Sequence, residues 1–233
     1  MKTETEIDFN SMTAILPINE TLRVFATIGQ DTDTEPPWKE WDGEGKVYIA
    51  DKGRVMGQDG NVMGQDGNYV DAILFLVHTF PDYPLDVFNK LMEGDPVRGR
   101  NGHFYLGLEA YIHSGERWYL PGGCQIDRMF DVSPLRAIWE ADEGVLANIL
   151  LNAKEARDPT AEELRDYLKG RLTSWNQFLA GDVWFVESHV ERATDDPEVW
   201  EQVGENDFRG GLYGEDGIDT FLQEIAAPHR SIT

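Results

Sequence analysis

TAEELRDYLKGRLTSWNQFLAG, residues 160–181, limits what this chain can fold into more than any other segment. Thr160 followed by Glu163 is a capping-box pattern, each side chain satisfying a backbone N–H near a helix start. Leu164, Tyr167, Leu168, Leu172, Trp175, Phe178 and Leu179 recur at helical spacing as one apolar stripe, and Gly181 marks the end. Such a helix draws most of its stability from burying that stripe against another apolar surface.

Strands that supply such a surface are read from a period of two. In HFYLGLEAYIHSG (103–115), Phe104, Leu106, Leu108, Ala110 and Ile112 fall on one face. His103, Tyr105, Glu109, Tyr111 and His113 fall on the other. ERWYL (116–120) follows as a hairpin partner or edge. KVYIAD (46–51) and DVWFVESHVE (182–191) read as strands, and the apolar run DAILFLVHTF (71–80) as a strand buried on both faces. PLDVFNKLMEG (84–94) has a helix start at Pro84 and a stop at Gly94. VSPLRAIWEA (132–141) is open between strand and helix, the chain turns helical after Gly144, and DGIDTFLQEIA (216–226) is a short final helix. Strands and helices mix without a regular βαβ rhythm. The expected fold is α+β, a mainly antiparallel sheet with two or three packed helices. Residues 1–45 read as an acidic N-terminal segment, and 46–233 as a single α+β domain with an acidic C-terminal part.

Between KVYIAD and DAILFLVHTF the heptapeptide VMGQDGN is written twice, at 55–61 and 62–68. Asp59-Gly60 and Asp66-Gly67 are turn dipeptides. The spacing of Asp59, Asn61, Asp66 and Asn68 does not make a calcium-loop ladder, and no Glu closes it. Two copies are too few for a stacked solenoid. The repeat reads as a hairpin or surface loop enlarged by duplication, where added length costs about 0.6 kcal/mol per doubling.

Charge sets the functional classes. Lys and Arg number 20 against 43 Asp and Glu, a formal net charge of −23. Residues 1–45 hold ten acids and three bases, and residues 187–224 hold twelve and two. Such a field repels nucleic acid and membranes and attracts basic surfaces. Solubility or adaptation to high salt produces the same balance. No run approaches the 18 or so apolar residues of a membrane span. MKTETEIDFN lacks the basic-then-apolar order of a secretory signal, and a single cysteine, Cys124, excludes an internal disulfide or a multi-Cys zinc site. The expected location is cytoplasmic.

Local motifs assign no catalytic, cofactor-binding or metal residue, and no cofactor is expected. Ser114 in His113-Ser114-Gly115 is not in a G-x-S-x-G elbow, and the adjacent His113 is poorly placed along a strand to act as its base. His103 and His113 stand about 33 Å apart along an extended strand, too far to share a metal. Cys124 follows Pro121-Gly122-Gly123 with no base adjacent in sequence. FRGGLYG (208–214) does not open a dinucleotide-binding helix.

Three segments carry a resemblance: Tyr111-Ile112-His113-Ser114-Gly115, then Trp175-Asn176-Gln177-Phe178-Leu179-Ala180-Gly181-Asp182-Val183-Trp184, then Gly210-Gly211-Leu212-Tyr213-Gly214. In order and spacing, over about residues 105–215, they resemble a widespread, uncharacterised family of small proteins carried by bacteriophages and plasmids. That family has Tyr-x-His-Ser-Gly, a helix ending in Tyr-x-Gln-Tyr-Leu-x-Gly-Asp-Val-Tyr, and a closing Trp-Gly-Phe-Tyr-Gly. This chain departs from it at Glu116-Arg117-Trp118, where the family is rich in Ser and Thr, and at Gly211, where the family has an aromatic. The resemblance implies a mobile-element setting and little chemistry. Joined to the charge, it leads to an expected role as a DNA mimic that blocks a basic host protein, a nucleic-acid-binding protein or nuclease of the restriction or CRISPR kind. Double-stranded DNA carries about one charge per 1.7 Å of axis. The residues expected to meet the partner are Glu187, Glu191, Asp195, Asp196, Glu198, Glu201, Glu205 and Asp207. Direct nucleic-acid or membrane binding is not expected. The alternatives are a small enzyme or accessory protein using the His113 region, and a solvated acidic module without mimicry.

Overall fold

The computed structural model describes residues 4–37, 45–49, 72–112, 115–124, 132–151 and 157–230. The duplicated heptapeptide and His113-Ser114 lie outside them. The fold is α+β with antiparallel sheets, and its contacts divide the chain into Met1–Thr34 with Gly181–Thr233, and Glu35–Ala180. That division is not the one at 45/46 read from the sequence: the acidic N-terminal residues join a sheet with the acidic C-terminal ones.

The first unit holds β1 (Glu6–Asp8), β2 (Thr13–Pro17), β3 (Leu22–Gln30), β9 (Val183–Ala193) and β10 (Trp200–Tyr213), in the order β1-β2-β3-β9-β10. Asn19 closes the β2–β3 turn, its Oδ1 accepting from Thr21 N and Leu22 N at 2.9 Å each. Alternate residues Ala14, Leu16, Val24, Ala26, Ile28 and Val186 turn to one face, where Ile218, Phe221, Leu222 and Ala226 of α5 (Gly214–Arg230) cover them. β3 pairs directly with β9, from Leu22↔Arg192 to Gln30↔Trp184, so residues 35–180 are an insertion between two neighbouring strands.

The second unit is a sheet covered on both faces. It contains β4 (Lys46–Ile49), β5 (Val97–Arg98), β6 (Phe104–Ile112), β7 (Glu116–Tyr119) and β8 (Val132–Ala141), in the order β4-β8-β6-β5, with β7 also paired to β6. On one face lie α3 (Glu143–Ile149) and α4 (Ala161–Leu179); Leu164, Leu168, Leu172 and Trp175 pack with Leu106, Leu108, Trp118 and Trp139. On the other lie α1 (Ala72–Thr79) and α2 (Pro84–Met92); Leu76, Val87 and Leu91 of these helices, with Phe80 just after α1, meet Tyr105, Leu135 and Ile138. The capping box of α4 forms as expected, Thr160 Oγ1 accepting from Glu163 N and Glu163 Oε2 from Thr160 N.

One segment differs from expectation, and two that the local pattern left open are strands. The run 71–80 is not a strand; its described part is the helix α1 and Phe80 directly after it, with Leu76 and Phe80 buried and Val77 44% exposed. A continuous apolar run carries no period, so its packing partners decide its conformation. The acidic, Gly-rich stretch after β9 is a strand of 14 residues. Its register against β9 shifts between Val203 and Asp207 and between Arg209 and Leu212. Gly204 (φ 96°) and Gly211 (φ 66°) sit in those shifts, in the left-handed conformation that such irregularities need. The open stretch at 132–141 is strand β8.

Candidate functional site

The eight carboxylates expected to meet a partner all lie on the β9–β10 hairpin. Glu187 and Glu191 are on β9, Asp195, Asp196 and Glu198 in the turn, and Glu201, Glu205 and Asp207 on β10, an outer strand of its sheet. Seven are exposed. Glu191 is not: it accepts from Arg23 Nε at 2.7 Å and lies 3.2 Å from His189 Nε2. Arg23 in turn lies over the Trp200 ring, 4.1 Å from its centroid. Among the described residues none of the seven exposed carboxylates has an ion-pair partner. Asp196 Oδ1 accepts from Glu198 N at 3.1 Å, and Glu187 Oε1 from Asn206 Nδ2 at 2.9 Å, contacts that order the hairpin without neutralising it. Phe208 stands opposite Glu187, 69% exposed, its ring 6.0 Å from that of Phe185.

The end of the second segment of the resemblance, Gly181 to Trp184, and the third segment are neighbours in this unit. Val183 pairs with Tyr213 and Trp184 with Leu212, and Gly214 N donates to Asp182 O at 3.1 Å. Asp182 Oδ1 accepts from Trp184 Nε1 at 2.7 Å. Gly211 N donates to Asp31 Oδ2 at 2.8 Å. These are structural contacts of turns and strand ends. Of the first segment, His113-Ser114 lies outside the described residues.

A different site, which the sequence did not single out, is centred on Glu140 in β8. Its side chain is 4% exposed and takes four hydrogen bonds. Tyr48 Oη donates to Oε2 at 2.5 Å; His103 Nδ1 at 2.6 Å, Asn101 Nδ2 at 3.0 Å and Tyr105 Oη at 3.0 Å approach Oε1. The β5–β6 turn delivers two of these. Gly99 N donates to His103 O at 2.9 Å, Gly102 takes φ 86°, and Asn101 Oδ1 accepts from His103 N at 3.2 Å. Burial alone would raise the Glu140 pKa, but its hydrogen bonds to Tyr48, His103, Tyr105 and Asn101 outweigh it and the value is lowered. Burial first, and then the hydrogen bond to Glu140 for Tyr48 and the Glu140 charge for Tyr105, push the two hydroxyls up, so both stay protonated donors. An ionised carboxylate only accepts, so Nδ1 of His103 must carry the ring proton.

Glu109, 2% exposed, accepts from Cys124 N at 2.8 Å, and Arg136 is 3% exposed. Burial pushes the Glu116 pKa up, against a 2.5 Å bond from Trp118 Nε1 and the charge of Arg136. Among the described residues no three His, Cys, Asp or Glu side chains gather to hold a metal ion, and no helix is long and apolar enough to cross a membrane. No family model matches the chain, and neither a curated protein nor a solved structure does.

Proposed function

We infer that this chain is an acidic binding protein whose β9–β10 hairpin engages a basic protein surface of the kind that otherwise holds nucleic acid. The observation that carries this reading is the gathering of eight carboxylates, seven of them exposed, on one outer hairpin where only Arg192 opposes them between 187 and 207. From Glu187 to Ala193, where β9 ends, is roughly 20 Å of strand, so the seven exposed carboxylates of the hairpin are spaced at about one charge per 3 Å. That is close to a single DNA strand's one per about 3.4 Å and about half the duplex density. Phe208 adds an exposed aromatic ring of the kind enriched at interface cores. The resemblance to phage and plasmid proteins suggests the partner: a host restriction or CRISPR nuclease, or another nucleic-acid-binding protein, which this chain would occupy in place of DNA.

The test is affinity capture from a bacterial host lysate at about 0.1 M and about 1 M salt, between which the Debye length falls from about 10 to about 3 Å. The bait is compared with a variant carrying Glu→Gln and Asp→Asn at the seven exposed positions. The expected result is a basic protein held at low salt, released at high salt, displaced by added DNA and not held by the variant. Capture that is equal for both baits, or indifferent to DNA, overturns the reading and leaves the carboxylates with a role in solvation.

A further inference from the structure

We propose that His103, held by Glu140, is the general base of a hydrolytic site for neutral ester substrates in the Glu35–Ala180 unit. This is independent of the acidic hairpin. The geometry is that of an oriented imidazole. The buried Glu140 carboxylate, 2.6 Å from Nδ1, fixes the proton on that nitrogen. In the neutral ring Nε2 is then the lone-pair nitrogen, and among the described residues it has no hydrogen-bond partner. The His103 side chain is 20% exposed while Glu140 is 4% exposed, so the ring joins a buried carboxylate to solvent. A structural pin for Glu140 does not require a histidine with one nitrogen left over. A base oriented by a carboxylate does.

The scaffold is stiff where such a site needs to be. Glu140, Tyr105 and Tyr48 lie on paired strands, Tyr105↔Glu140 being in register, and His103 and Asn101 are fixed by the β5–β6 turn. The charged and titratable groups around His103 and Glu140 are Tyr48 from β4 and Tyr105 from β6, both hydroxyls donating to Glu140, with Lys46 of β4 opposite Glu140 in the strand register and the Asp142 charge acting on Tyr48. The other neighbours are aromatic. Phe75 lies 4.8 Å from the Tyr48 ring, and Phe80 lies 5.0 Å from that of Tyr105. With a buried carboxylate at its centre and rings and neutral hydroxyl and amide donors in contact with it, the site suits a neutral, partly apolar acyl compound over an anion.

In the step proposed, Nε2 takes a proton from water as the water oxygen attacks the acyl carbon. The acyl carbon–oxygen bond to the leaving group breaks, and the imidazolium returns the proton to the departing oxygen. Ester and water become carboxylic acid and alcohol. Glu140 remains ionised throughout and steadies the imidazolium.

The experiment follows hydrolysis of p-nitrophenyl acetate by the full chain, by His103→Gln and by Glu140→Gln, across pH. Each variant's fold is checked by circular dichroism. The His103→Gln comparison removes the background from the four other histidines. The expected result is a loss of about a hundredfold in His103→Gln, the low end for a positioned base. Glu140→Gln is expected to lose rate as well. Should that buried substitution unfold the chain, Tyr105→Phe replaces it, removing one donor to Glu140 and shifting the pH profile. A His103→Gln protein that hydrolyses the ester as fast as wild type, or a wild type no faster than the same concentration of free imidazole, overturns the proposal.

Discussion

Gly107 of β6 lies beneath the carbonyl of Leu91 at the end of α2: a Cβ at residue 107 would stand 2.3 Å from Leu91 O and 2.9 Å from Leu135 Cδ1. Helix and strand approach this closely because one of them has no side chain at the crossing. Gly107→Ala is therefore expected to destabilise, by about 1–3 kcal/mol as an overpacked core does. A thermal midpoint equal to wild type would mean that α2 is not seated on β6 at this point.

Trp175 on α4 is fully buried in the cluster that also holds Trp118 and Trp139. Trp175→Ala should cost about 3–5 kcal/mol, since little around so large a cavity can collapse into it. Denaturant titration checks this; a variant unfolding at the wild-type midpoint is incompatible with a docked α4.

Asp31, just after β3, accepts with both oxygens: Oδ1 from Asp33 N and Thr34 N, Oδ2 from Thr34 Oγ1 at 2.6 Å and Gly211 N at 2.8 Å. Asp31→Asn keeps the shape but sets an NH₂ against at least one N–H or O–H that needs an acceptor. The expected loss is about 1–2 kcal/mol, the lower part of the range for a charged acceptor because the site is partly wet. Asp31→Asn matching wild type in thermal denaturation would contradict it.

The start of α4 has a pH signature. The hydrogen bond from Arg157, followed by those from Thr160, lowers the Glu163 pKa from its ordinary 4.5 to about 2. A group whose folded pKa is depressed contributes stability above its unfolded value and loses it as pH falls through the folded one. The contribution of Glu163 is therefore present above about pH 4.5 and fades toward pH 2. Glu163→Gln should flatten the acid limb of the stability curve in that window, and Thr160→Ala should lower stability by about 1 kcal/mol at neutral pH.

If the hairpin captures a basic partner, neutralising Glu187, Asp195, Asp196, Glu198, Glu201, Glu205 and Asp207 together should slow association more than it speeds dissociation. Single changes among the seven should each move affinity by about 0–1 kcal/mol. Glu191→Gln should behave differently, lowering the thermal midpoint by taking the charge partner from Arg23 while leaving capture nearly unchanged. Stopped-flow association with the captured partner separates the two effects.

What the sequence determined by itself is whatever a short window can encode. The capping box and stripe of α4, the alternation of β6, the β6–β7 hairpin and the carboxylates of 187–207 depend on residues a few places apart, where helical and strand periods act directly. Even there, Tyr105 and Glu109 on the polar face of β6 are as buried as its apolar face, because helices cover both sides of the sheet. Only the tertiary structure decided the rest. The apolar run at 71–80 has no period and became a helix through its packing on α2 and the sheet, and an acidic, glycine-containing stretch became β10 because β9 offered it a ladder. Asp31 meets Gly211 180 residues along the chain, and Tyr48 meets Glu140 92 residues along. No local pattern marks such partners: a glutamate becomes a buried acceptor of four hydrogen bonds only when strands β4, β6 and β8 are in register and the β5–β6 turn closes over them.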